Sequence, residues 1–138
     1  MPDARRQKPD AQSPVPGALL SRWLPVLAYM AFIFGLSSLT ATPAMPGGSD
    51  KLLHALLYAG FGLLLGRALA GGWHGVTWTT VLTVTVCGAL YGISDEVHQY
   101  FNPPRAVEMA DVVADTIGSA AGAAALRAWG IIRGRDGL

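Results

Sequence analysis

Charged residues are scarce in this chain and missing altogether from two long stretches. Only 14% of its 138 residues are Asp, Glu, Lys or Arg, against about 25% in a typical soluble domain. None lies between residues 23 and 49, and none between 68 and 94. Each gap is 27 residues long, enough for the roughly 20 apolar residues that cross a bilayer plus some loop. A soluble four-helix bundle needs charges spaced along a polar face of each helix. Residues 76–94 offer only Thr, Ser, Trp and Tyr as polar relief, which argues against a bundle in water. Cysteine is down to a single residue, Cys87. That excludes a disulfide framework within the chain, and a lone thiol in an apolar run reads as a small buried hydrophobe. Internal repeats are lacking, and so is any strand-like alternation that survives the length of the apolar runs.

What is present is four apolar segments separated by breakers. Residues 1–18, rich in Pro, Gln, Ala and charge, read as a disordered tail. The membrane domain is expected over 19–130, with a polar tail at 131–138. Its first span covers about 22–39, with Pro25 near the start, where proline is tolerated. The stretch TATPAMPGGS is a loop by its Pro and Gly content. A second span covers 50–70, with Ser49 or Asp50 as its cap. After Gly71-Gly72-Trp73-His74-Gly75, a third covers 76–100, and the paired prolines 103 and 104 end it. A fourth covers 108–129. The expected fold class is therefore an all-α membrane protein of four transmembrane helices. Thr42-Pro43-Ala44 loosely resembles a signal-peptidase site. However, the preceding apolar run of about 17 residues exceeds the usual signal core, so the segment reads as a retained span.

Lys and Arg set the orientation. Arg5, Arg6, Lys8, Arg22, Arg67, Arg127, Arg133 and Arg135 fall on the side of the two termini, and only Lys51 and Arg105 on the other. The positive-inside rule then makes both termini cytoplasmic.

The acids are the most telling residues. Of nine, three lie in the tails; Asp50, Asp95, Glu96, Glu108, Asp111 and Asp115 all lie at span ends on the outward face. Charge near hydrocarbon is costly, so such a cluster marks a candidate functional site. Asp50, His54 and Tyr58 recur every four residues and share one helical face. Asp95 and Gln99 stack likewise, with Tyr91 one turn deeper. Two acids at a helix C-terminus oppose the macrodipole, so local stability does not call for Asp95 and Glu96. On the fourth span Asp111, Asp115, Gly118 and Gly122 form one stripe, with Glu108 at its edge. Gly118 and Gly122 make a GxxxG pattern that admits a close helix neighbour, expected to be the second or third span. Asp115 lies about one turn inside, where it needs a proton, Arg105, Lys51 or a cation.

The segments DKLLH, YGISDEVHQ, Arg105 after the proline turn, and DVVADTIG together resemble the signature of the VanZ-like family of small bacterial membrane proteins. The resemblance covers about residues 23–128, and its strongest matches are Asp50, Lys51, His54, Tyr58, Asp95, Glu96, Gln99, Arg105, Asp111 and Gly118. The family commonly has Asn where this chain has Asp115, and the AVEMA spacer between Arg105 and Asp111 is less typical. The resemblance implies a multi-span protein of the cytoplasmic membrane. The family takes its name from an accessory factor in glycopeptide resistance, but the resemblance carries no established reaction.

Three functions fit these residues. The first is an outer-leaflet site that binds or acts on an envelope amphiphile, anionic or glycan-bearing. In it Asp95 or Glu96 is a general base, His54 its acid–base partner, and Lys51 and Arg105 are anion clamps. Asp50, Tyr58, Gln99, Asp111 and Asp115 complete the binding set. Asp95, Glu96, Asp111 and Asp115 are oxygen ligands suited to a divalent cation such as Mg²⁺ or Ca²⁺. The second is a non-catalytic scaffold in which the cluster is a structural clamp. The third, an ion-coupled transporter, is disfavoured by the lack of acids in the inner half of any span. The expected partners are membrane lipids and an envelope lipid or glycan ligand. The scattered basic residues follow topology and do not suit a nucleic acid, and nothing in the sequence fixes an oligomeric state.

Overall fold

The computed structural model describes residues 16–39, 49–101 and 107–135. They form four α-helices: α1 (Pro16–Ser37), α2 (Ser49–Leu69), α3 (Trp78–Tyr100) and α4 (Met109–Arg135). Among the described residues there is no strand. Helices α1, α2 and α4 are long and apolar enough to cross a membrane. Helix α3 is borderline in composition because of its threonines, yet their polarity is largely absorbed locally. Thr83 Oγ1 donates to the Thr79 carbonyl at 2.9 Å and Thr85 Oγ1 to the Val81 carbonyl at 2.8 Å. Thr77 and Thr80 form a reciprocal capping box at the helix start, satisfying N–H groups that the first turn leaves open. A helix that consumes its own polar groups suits hydrocarbon.

The helix ends differ from the sequence expectation in instructive ways. Helix α1 starts at Pro16, inside the stretch expected to be tail, so Pro25 sits well within the helix. Proline has no N–H to give the carbonyl four residues back. That carbonyl, on Ser21, is instead approached by Arg67 Nη1 from α2 at 3.5 Å. Helix α4 continues to Arg135, six residues past the expected end, since Arg is a good helix former once the chain leaves the apolar layer. The α2 end turns through Gly71 at φ 77°, a left-handed conformation that glycine adopts without strain.

Helix α4 lies against both α2 and α3, and small residues set how closely. A Cβ at Gly118 would strike the Ala55 carbonyl, one at Gly122 the Ala59 carbonyl, and one at Gly62 the Ser119 carbonyl. The α2 and α4 backbones thus touch along two turns, as the GxxxG pattern predicts. On its other side, Gly92 of α3 makes room for the Asp115 side chain and Gly88 for that of Ser119. Below this polar layer an apolar core gathers Tyr58, Phe61, Leu65, Val84, Ala123 and Leu126, with Cys87 half-buried beside it. Helix α1 is fastened at the side by hydroxyls: Tyr29 donates to the Leu57 carbonyl at 3.1 Å, and Tyr91 to that of Met30 at 2.8 Å. Exposed Leu82, Val86, Leu90, Ile93 and Val97 form the outer face of α3, an apolar surface matched to lipid.

Candidate functional site

The polar residues at one end of the bundle form a ladder that descends between α2 and α4. At its rim is Lys51, in the first turn of α2. Its ammonium lies 2.8 Å from Asp50 Oδ2 and 2.7 Å from Asp111 Oδ1, and it also pairs with the Glu108 carboxylate. Asp50, Glu108 and Asp111 bring carboxylate oxygens within 4.8 Å of one another, the one such grouping among the described residues. Its membership differs from the Asp95, Glu96, Asp111 and Asp115 set that the sequence offers to a divalent cation. The triad does not fit a metal while the Lys51 ammonium sits among its oxygens.

One turn deeper, His54 Nδ1 lies 3.0 Å from Asp115 Oδ1, while Nε2 is 3.9 Å from Asp111 Oδ2. Asp115 is wholly buried. The sequence offers it Arg105 or Lys51 as partner; the fold supplies His54, because α2 and α4 approach closely enough for a short imidazole–carboxylate contact. Tyr58 follows one turn below, also buried, with its ring 5.8 Å from that of Tyr91 and 6.0 Å from that of Phe61.

Helix α3 delivers Asp95, Glu96 and Gln99, all buried. Glu96 Oε2 accepts the backbone N–H of Glu108 at 2.8 Å. That group is an unpaired donor at the start of α4, where a carboxylate is favoured by both hydrogen bonding and the macrodipole. An acid misplaced on its own helix is thus well placed on its neighbour's. Asp95 Oδ2 accepts from Gln99 Nε2 at 3.1 Å. Asp95 also lies close enough to act electrostatically on His54, Tyr58 and Asp115. The hydrogen-bond partner of His54 among the described residues is Asp115, not Asp95 or Glu96. Arg105 lies outside the described residues.

Four buried oxygens in this layer find no hydrogen-bond partner among the described residues: Tyr58 Oη, Asp95 Oδ1, Glu96 Oε1 and Asp115 Oδ2. Ser119 Oγ, one turn below Asp115, joins them. Ser119 is absent from the set expected from sequence; its signal was its place within the GxxxG stripe. Glu108 was expected only at the stripe's edge, yet it contributes a carboxylate to Lys51 and a backbone N–H to Glu96. His98 ties α3 to the residue that follows α1, its ring 3.0 Å from Ser38 Oγ and tilted against Phe34 with ring centres 4.3 Å apart.

The arrangement can hold charge, pass a proton along the carboxylate–imidazole contact, and offer acceptors to a ligand. Comparison with curated proteins and with solved structures finds no match. The VanZ/LLP1 family model matches residues 14–132. That span includes all four helices save the last residues of α4, and the chain belongs to the VanZ/LLP1 family.

Proposed function

We propose that this multi-pass membrane protein resides in the cytoplasmic membrane with both termini inside. Its outward polar layer binds a cell-envelope component, a lipid or a glycan-bearing precursor. The observation that carries the reading is the set of unpartnered buried oxygens on Tyr58, Asp95, Glu96 and Asp115. Buried polar atoms in folded proteins are overwhelmingly paired, and each exception calls for an explanation. A bound ligand with hydrogen-bond donors explains four exceptions in one layer.

The opposite end of the bundle supports the orientation. Arg67 lies over Trp73, Arg127 over Trp78 and Arg133 over Trp129, each guanidinium 4.7–4.9 Å from the ring centre. Paired Arg and Trp at one boundary match a basic, aromatic cytoplasmic interface.

A second reading, the structural clamp, draws on Lys51. One ammonium shared by three carboxylates on α2 and α4 fastens those helices whatever else the site does. The two readings part at Glu96 and Asp95. The test is to purify wild type, Asp95→Asn and Glu96→Gln in mild detergent and quantify co-purifying envelope lipids and lipid-linked glycans by mass spectrometry. Binding predicts a species retained by wild type and lost from both variants at unchanged melting temperature. Identical retained species, with both melting temperatures lowered, would leave the clamp as the function of this layer.

A further inference from the structure

Every acid among the described residues sits at the outer end of the bundle. At the inner end Arg22, Arg67, Arg127 and Arg133 carry guanidiniums, and none of them pairs with a carboxylate among the described residues. The positive-inside rule accounts for their number on that side. It does not ask two helices to bring their guanidiniums to one place. Arg133 lies over Trp129 of its own helix. Arg127 lies over Trp78 and donates to the Val76 carbonyl at 2.8 Å, which fastens α4 to the start of α3. Arg22 of α1 and Arg67 of α2 instead meet beside the turn that ends α2. Arg67 lies 4.9 Å over the Trp73 ring, and its Nη1 is 3.5 Å from the carbonyl of Ser21, the residue before Arg22. Arg22 Nη1 is 3.0 Å from the place a Cβ of Gly71 would take. Both guanidiniums therefore border the Gly71–Trp73 turn.

The turn does not need them. The N–H groups of Ala70, Gly71 and Gly72 already bond to the carbonyls of Gly66, Ala68 and Arg67, which closes the end of α2. Each guanidinium has five N–H donors. Those of Arg22 find no acceptor among the described residues, and the Ser21 contact of Arg67 is long for a hydrogen bond. Two half-buried cations from different helices thus share one turn with most of their donors unspent. The surroundings are amphipathic. Leu20, Trp23 and Leu24, which flank Arg22, are exposed, and so is Trp73. Apolar side chains of that kind meet acyl chains, and a Trp ring sits at headgroup level. We infer that Arg22 and Arg67 bind the phosphate of an anionic phospholipid of the cytoplasmic leaflet. Guanidiniums match phosphate oxygens in geometry as well as charge. Basic pockets between helices on the cytoplasmic side are a recurrent kind of anionic-lipid site. A zwitterionic head suits the place less, because its ammonium finds no carboxylate at this end among the described residues. The site lies at the opposite end from the outward polar layer and holds whether or not that layer binds a ligand.

The test titrates short-chain phosphatidylglycerol and phosphatidylethanolamine into the detergent-purified full chain and reads complexes by native mass spectrometry. Glycerol 3-phosphate, added as a competitor, separates a lipid from a soluble phosphate ester. Arg22→Gln, Arg67→Gln and Arg133→Gln accompany wild type. The third removes the same charge from the same end but away from the turn. The expected result is tighter binding of phosphatidylglycerol than of phosphatidylethanolamine by about tenfold or more, the worth of one hydrogen bond to a charged group. Arg22→Gln and Arg67→Gln should each lose most of that preference, Arg133→Gln should keep it, and glycerol 3-phosphate should not displace the lipid. Equal loss in all three variants overturns the site in favour of a diffuse positive field. Loss in none of them, or no preference in wild type, overturns it outright. Loss in Arg67→Gln alone also overturns it, since Arg22 makes no hydrogen bond among the described residues and its variant should fold normally. Displacement by glycerol 3-phosphate overturns the lipid as the source of the phosphate.

Discussion

Glu96, 12 residues before Glu108 in the sequence, accepts its backbone N–H at 2.8 Å, so the end of α3 caps the beginning of α4. The bond joins the end of α3 to the start of α4 and fixes where the stripe of Glu108, Asp111 and Asp115 begins. Loss of an N-terminal helix cap costs about 0.5–2 kcal/mol. Glu96→Ala should therefore lower the melting temperature in detergent, whereas Glu96→Gln, which retains a carbonyl acceptor, should lose at most a fraction of that. Equal loss in both would mean that the negative charge, not the hydrogen bond, holds the α4 terminus.

How much of this was legible from sequence depends on range. Helical spacing puts Asp50, His54 and Tyr58 on one face, and GxxxG calls for a close neighbour at Gly118 and Gly122, the second or third span, without saying which; the fold places α2 there. Both are properties of one helix at a time. The His54–Asp115 contact and the Glu96–Glu108 cap depend on how far one helix slides along another. That displacement is set by Ala55, Ala59 and Ser119 meeting facing glycines, and periodicity within one helix does not encode it. Helix length departs from expectation where composition misleads: Pro16 and Arg135 look like tail residues but bound regular helices.

The His54–Asp115 pair makes a prediction about coupling. With His54→Ala, the wholly buried Asp115 carboxylate loses its 3.0 Å partner and must stay charged and unpaired or take up a proton. We expect a loss of about 1–3 kcal/mol, the cost of leaving a buried polar group unsatisfied. Asp115→Asn keeps an acceptor for His54 without a charge to neutralise and should cost less. In the double variant most of the His54→Ala penalty should disappear, because the charge that required the imidazole is gone. A double-mutant cycle in detergent reads this directly, and strictly additive effects would contradict it.

The glycine contacts predict a sharp contrast between sites that look alike in sequence. Gly122→Ala drives a methyl group into the Ala59 carbonyl, and Gly62→Ala into that of Ser119. Each forces α2 and α4 apart, with an overpacking cost of about 1–3 kcal/mol. Gly35 of α1 has open space around the position of a Cβ, so Gly35→Ala should be neutral or stabilising by up to about 1 kcal/mol. Comparable melting temperatures for Gly122→Ala and Gly35→Ala would show that the two backbones are not in contact.

Lys51 makes the last prediction, because it fills a place that a metal ion would otherwise suit. Asp50, Glu108 and Asp111 set three carboxylates within 4.8 Å of one another, and oxygen donors of that kind bind Mg²⁺, Ca²⁺ or Mn²⁺. The tethered ammonium satisfies them first, at no cost in translational freedom. Lys51→Ala removes it and leaves three anions facing one another at the joint of α2 and α4. Their mutual repulsion should lower thermal stability in a metal-free buffer, and millimolar Ca²⁺ or Mn²⁺ should restore it. Wild type should show no such rescue. Binding of Mn²⁺ followed by electron paramagnetic resonance would separate the two proteins, with Asp111→Asn in the Lys51→Ala background abolishing the signal. Equal Mn²⁺ binding by wild type and Lys51→Ala would instead place the ion elsewhere and show that the ammonium is not what closes the triad to metals.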